Sequence, residues 1–153
     1  HLSAYHLTLE PNTPFGHAAP PNLPDDDLAA DMQQSIEARL AEAGMQHYET
    51  SAYARPNHAS RHNLNYWQFG DYLGIGAGAH AKITDTDGIT RLWKVKQPRA
   101  FLETAGTAAV LGGEQRLDGN DVAFEFMLNA LRLTQGFSPM LFAERSGLPS
   151  AAK

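Results

Sequence analysis

The chain has 153 residues, 42% of them hydrophobic, no cysteine, and a formal net charge of −5 from 17 acidic and 12 basic side chains. That length supports one sizeable core and a small satellite, and no apolar run is long enough for a membrane-spanning helix. Without thiols this stretch alone forms no disulfide, thiolate zinc site, cysteine nucleophile or iron–sulfur cluster, and its scattered basic residues make no stripe for nucleic acid.

In chain order, the run from His1 to Leu9 predicts a strand. A strand opening on His1 lacks preceding partners, and the chain halts within a new start at Leu148-Pro149-Ser150, so an internal piece of a longer protein is expected. Glu10 to Gly16 is a turn cluster inside a loop with five prolines between Pro11 and Pro24. Pro24-Asp25-Asp26-Asp27 starts a helix whose carboxylates serve as caps; Leu28, Met32, Ile36 and Leu40 give its period and Gly44 its end. A second strand is expected over His47–Ala54, and strand, helix, strand predicts a parallel pair with a right-handed crossover. Arg55–Asn63 reads as a loop and Tyr72–Lys82 as a strand. Asp85–Gly88 reads as a hairpin turn, with Ile89–Lys96 running back antiparallel. Beyond Pro98 the pattern is helical: a short helix with Phe101 and Leu102 ending at Gly106, then a longer one over Asp121–Gln135 ending at Gly136. The longer helix is apolar nearly all round and is expected to be buried. A last helix begins near Leu141 and stops at Gly147.

Ser60-Arg61-His62-Asn63-Leu64-Asn65-Tyr66-Trp67, followed by Tyr72-Leu73-Gly74-Ile75-Gly76-Ala77-Gly78-Ala79-His80, carries the clearest site signature. Glycine and alanine leave the backbone bare for close approach by a flat ligand, beside aromatic rings and imidazoles. Gly74–Ala79 matches the dinucleotide-binding G-x-G-x-x-G/A pattern, but no helix follows to hold a pyrophosphate. His58 and His62 stand four apart, yet Pro56, Asn57 and Asn63 oppose the helix that would aim both at one metal. Two readings of His62 stay open from spacing alone. Either it ties a loop to backbone groups with Asn63, or it ligates a haem iron with Tyr66 and Trp67 stacked on the macrocycle.

Arg61–Trp67 followed by Asp71–His80 resembles the HemW-type haem chaperones, radical S-adenosylmethionine proteins akin to the oxygen-independent coproporphyrinogen III oxidases. Ala4–Phe15 and Arg91–Lys96 resemble the same family, and the HNxxYW motif is specific to its chaperone branch. The resemblance implies an α/β chain: the last strands of a partial (β/α)6 radical-SAM barrel with the motif loop and hairpin (1–96), then the start of a mainly helical C-terminal domain (97–153). Phe142–Ser150 resembles the beginning of a small winged-helix-like end. It implies a CxxxCxxC motif outside this stretch for a [4Fe–4S] cluster and S-adenosylmethionine, the latter lying against Thr8, Gly76, Gly78 and His80 through backbone contacts. It further implies haem binding by His62, Asn63, Tyr66 and Trp67, with His62 the iron ligand, and transfer of haem to an acceptor protein in the cytoplasm. The rival activity in the family is radical oxidative decarboxylation of coproporphyrinogen III. Lacking its barrel neighbours, the first sheet is expected to expose an edge, so that the fragment either self-associates or is a proteolytic remnant.

Overall fold

The computed structural model describes residues 1–149, and the chain divides into two units, His1–Ser60 and Arg61–Lys153. In the first unit, β1 (Leu2–Ser3) is followed by a short helix α1 (Pro14–His17), the long helix α2 (Asp26–Glu42), β2 (Gln46–Glu49) and β3 (Ala52–Ala54). Thr13 caps α1, its hydroxyl accepting from Gly16 N–H at 3.0 Å. Asp25 caps α2 in the same way, accepting from Leu28 N–H at 2.9 Å, and Gly44 at φ 73° ends the helix as its sequence requires.

The sheet order is β1-β3-β2 and every pairing is antiparallel, which corrects the expected parallel crossover. The run expected as one strand over His47–Ala54 breaks at Thr50-Ser51 into a hairpin, and β1 takes the other edge of β3, with Leu2 opposite Tyr53. The first strand is also shorter than expected: regular pairing ends at Ser3, and residues 4–9 are irregular. Tyr53 is 2% exposed and anchors this sheet to α2. Its phenol accepts from Gln33 Nε2 at 2.9 Å and donates to Glu37 Oε1 at 3.3 Å, while His47 stacks on its ring at 4.5 Å. Burial first, and then the Glu37 charge, raise the Tyr53 pKa.

The second unit begins with α3 (Arg61–Trp67), continues through the hairpin β4 (His80–Asp85) and β5 (Gly88–Lys94), α4 (Pro98–Thr104) and a 3-10 turn at Ala108–Val110. It closes with β6 (Leu111–Arg116), α5 (Gly119–Ala130) and α6 (Pro139–Ser146). β4-β5-β6 is an antiparallel sheet, its hairpin turned at Asp85–Gly88 as expected. The Asp85 carboxylate accepts from the backbone N–H groups of Asp87 and Gly88, the mechanism by which aspartate favours such turns. The core joins sheet to helices through Phe69, Ile89, Leu117, Val122, Phe126 and Ala130, with Phe137 and Phe142 packed edge-on against Phe126.

Four expectations are corrected in this unit. Tyr72–Lys82 is not a continuous strand: positive φ at Gly76 (104°) and Gly78 (69°) breaks it, and only Tyr72 bridges to Lys82 before β4 starts at His80. His62 and Asn63 lie on a helix instead of a loop, because Pro56 and Asn57 precede its start and leave Arg61 onward unhindered. α5 ends at Ala130 and buries only one stripe; Phe124 and Leu128 are 68% and 62% exposed. β6 was not expected, since its Gly112-Gly113 pair has low strand propensity. α6 with its Gly147 stop (φ 69°) forms as read, whereas the region resembling a winged-helix end runs beyond the described residues at Ser150.

Candidate functional site

α3 is seven residues long and is held at its C-terminus by an uncommon closure. Gly70 N–H donates to Asn65 O at 2.7 Å and Phe69 N–H to Tyr66 O at 2.9 Å, the paired bonds of a Schellman end. The left-handed position belongs to Phe69 (φ 57°), where glycine is usual. Its ring compensates by burial: it is 1% exposed and packs edge-on against Phe126 at 5.8 Å, with Lys82 Nζ 4.3 Å over it. A Cβ on Gly70 would stand 2.1 Å from Asn65 Oδ1, so glycine there admits the Asn65 side chain, whose Nδ2 donates to Asp71 O at 2.9 Å.

This closure fixes the faces of the helix. His62 is exposed, and its imidazole meets Tyr66 edge-on at 4.8 Å. Tyr66 in turn meets Tyr72 at 4.5 Å, and Tyr72 Oη accepts from Arg91 Nη1 at 2.5 Å. Arg91 is also paired with Glu125 on α5, its Nε donating to Oε2 at 2.8 Å. Arg132 lies over the Trp67 ring at 4.3 Å. Trp67 Nε1 is buried with no hydrogen-bond partner among the described residues. The four expected haem-binding residues thus share one short helix, with His62 and Tyr66 set edge-on to each other and Trp67 clamped separately.

Of the residues expected to lie against S-adenosylmethionine, Thr8 belongs to the first unit, and Gly76, Gly78 and His80 lie in one short stretch of the second. Thr8 is exposed in the irregular segment of the first unit. In the second, Gly76 and Gly78 occupy left-handed turn positions before β4, and Gly78 N–H is already used by Val95 O at 2.8 Å. His80 opens β4 and is exposed, its ring stacked on Trp93 at 6.4 Å. His80 and Tyr72 both line an open cleft of about 560 Å3 between the sheet and α5.

No family model matches the chain. Individual relatives do. It is 46% identical over 149 residues to the haem chaperone HemW of Escherichia coli, spanning 97% of this chain and 38% of that protein. It is 44% identical over 153 residues to HemW of Haemophilus influenzae, spanning 99% of this chain and 39% of that protein. The chain belongs to the HemW family.

It therefore spans about two fifths of the length of the HemW proteins it matches. A radical S-adenosyl methionine domain-containing mitochondrial protein of Mus musculus is 48% identical over 96 residues, covering 60% of this chain and 22% of that one. Among solved structures, the Escherichia coli coproporphyrinogen III oxidase HemN, described as a radical SAM enzyme, superposes with a TM-score of 0.59 at 17% identity. That superposition covers 83% of this chain and 31% of the enzyme, and it speaks to the fold alone.

Among the motif side chains, the exposed His62 imidazole is a donor of the type that ligates haem iron. Among the described residues no three His, Asp or Glu side chains converge on a metal position. A porphyrin already supplies four equatorial nitrogens, so one accessible imidazole is enough to attach its iron. An iron–sulfur cluster finds no thiolate here, because the chain has no cysteine. Sequence reasoning put Tyr72 beside the motif but missed Arg91, Glu125 and Arg132 as its neighbours. Arg91 and Trp93 are two apart on one strand and so share a face, a signal that was legible; the reach of Glu125 and Arg132 was not. No helix among the described residues is long and apolar enough to cross a membrane.

Proposed function

We propose that this chain is the haem-carrying part of a HemW-type chaperone, which binds haem through the HNxxYW helix and passes it to an acceptor protein in the cytoplasm. The observation that carries this reading is the exposed His62 imidazole, set edge-on to Tyr66 on a helix whose end is locked, in a chain 46% identical to a haem chaperone. An accessible ring is open to a guest and to its subsequent release, whereas a buried one would retain it. His62 is the iron ligand in this proposal. Tyr66 orients the imidazole, and Asn63 and Trp67 belong to the same haem-associated motif. In the longer protein, S-adenosylmethionine lies against Thr8, Gly76, Gly78 and His80, and cysteines outside this stretch hold the [4Fe–4S] cluster that activates it. The division into a barrel part (1–96) and a helical part (97–153), and the placing of the first strands in a partial barrel, belong to the same proposal. β1 and β2 end the three-stranded order of the first sheet, and edge strands are a route to self-association of the chain in isolation.

Haem titration of the chain and of its His62→Ala variant tests the reading. The wild type is expected to develop a Soret band that the variant shifts and weakens; an identical titration removes His62 as ligand. The second reading, oxidative decarboxylation of coproporphyrinogen III, draws on the fold likeness to HemN. Turnover of that porphyrinogen by the full-length protein with its cluster reconstituted would favour it.

A further inference from the structure

We propose that the cleft between the β4-β5-β6 sheet and α5 receives the flat ring of a tetrapyrrole face-on, upon a platform made by Trp93 and His80. This rests on the haem reading above and extends it from the iron ligand to the seat of the macrocycle.

The register of the sheet builds the platform. His80, Trp93 and Gly113 stand directly opposite one another on three adjacent strands and so project to one face. Lys82, Arg91 and Gln115 form the next row on that face, and Ile89 lies beyond them in the core beneath α5. α5 therefore covers one end of the face and leaves the His80–Trp93 end open.

Two glycines make room for the indole. A Cβ on Gly113 would stand 2.3 Å from Trp93 Cζ2, and one on Gly112 would stand 3.0 Å from Trp93 Cδ1. The Trp93 ring thus lies across β6 in space that any other residue would occupy, with the His80 ring inclined at 29° to it. Phe124 and Leu128, 68% and 62% exposed, form the facing wall from α5. Four apart on a helix, they present one apolar strip. A cleft of about 560 Å3 falls within the ~300–1,000 Å3 typical of small-molecule and cofactor sites, which are walled by aromatic and apolar side chains.

Two further observations select the occupant. Tyr72 lines the cleft and is also the ring neighbour of Tyr66, so the aromatic series His62–Tyr66–Tyr72 leads from the proposed iron ligand to the cleft wall. The cation of the cleft, Arg91, is engaged by Glu125 and Tyr72, and Asp121 adds a second carboxylate. The interior therefore favours an uncharged aromatic face, and the carboxylate arms of a tetrapyrrole remain in water at the open side.

Metal-free protoporphyrin IX separates ring stacking from iron ligation. Its affinity for the chain, read by porphyrin fluorescence, is expected to fall about tenfold in Leu128→Glu and in His80→Ala. Both substituted side chains of the cleft are exposed, and matched urea denaturation of each variant verifies the fold. Wild-type porphyrin affinity in both cleft variants, with haem binding still dependent on His62, overturns the cleft and leaves the haem reading standing. Haem binding without any binding of the metal-free ring does the same. Failure of the wild type to bind either molecule overturns both.

Discussion

The Arg132 guanidinium lies 4.3 Å over the indole of Trp67, tying the last residue of α3 to the segment that follows α5. A partly desolvated cation over tryptophan contributes about 0.5–2 kcal/mol. Arg132→Ala is expected to lower stability by about 1 kcal/mol and to shift Trp67 emission, with haem affinity reduced as the helix end loosens. Arg132→Lys should recover part of each effect, because charge is kept while planar stacking is lost. Urea denaturation and a Soret titration measure the two quantities.

Lys82 is 2% exposed and donates to Asp71 Oδ1 at 2.7 Å. Burial pushes the Asp71 carboxyl up, but bonds from Lys82, the Thr84 hydroxyl and the Thr84 N–H outweigh it and hold the pKa below its ordinary 3.8. The unfolded chain therefore takes up the proton first as pH falls. This stabilisation is complete above pH about 4 and is lost as pH drops through the depressed native value. Asp71→Asn should flatten the acid side of the stability curve. Lys82→Met should cost about 1–3 kcal/mol at neutral pH, less than for a fully buried pair because the Asp71 side chain is 41% exposed.

Gly113→Ala places a Cβ 2.3 Å from the Trp93 indole, which must move. A loss of about 1–3 kcal/mol is expected, with altered Trp93 fluorescence and weaker binding of metal-free porphyrin. Stability equal to wild type would show that the indole has another resting place.

Phe69→Gly removes the strain of a left-handed residue but also the ring that packs on Phe126. Loss of a buried aromatic costs about 3–5 kcal/mol and relief of strain returns about 1–3, so a net destabilisation of about 2 kcal/mol is expected from thermal or urea unfolding.

The capped start of α2, its glycine stop, the Asp85–Gly88 hairpin and the end of α6 were legible because each is set by bonds within a few residues. The Arg61–Trp67 segment was misread as loop for a related reason. Its helix is closed by Phe69 in a conformation that local sequence disfavours and that packing on Phe126, far along the chain, helps sustain. The run His47–Ala54 looked like one strand because its turn, Thr50-Ser51, carries no glycine or proline to mark it.

Family membership, the absence of cluster ligands in this stretch and the grouping of His62, Asn63, Tyr66 and Trp67 were determined by the sequence, since motif spacing and missing cysteines need no coordinates. Which face His62 presents, what clamps Trp67 and where a cleft opens were decided only by tertiary structure. Those features depend on strand register and on helix contacts between residues far apart in the chain, and hydrophobic period does not encode such distances.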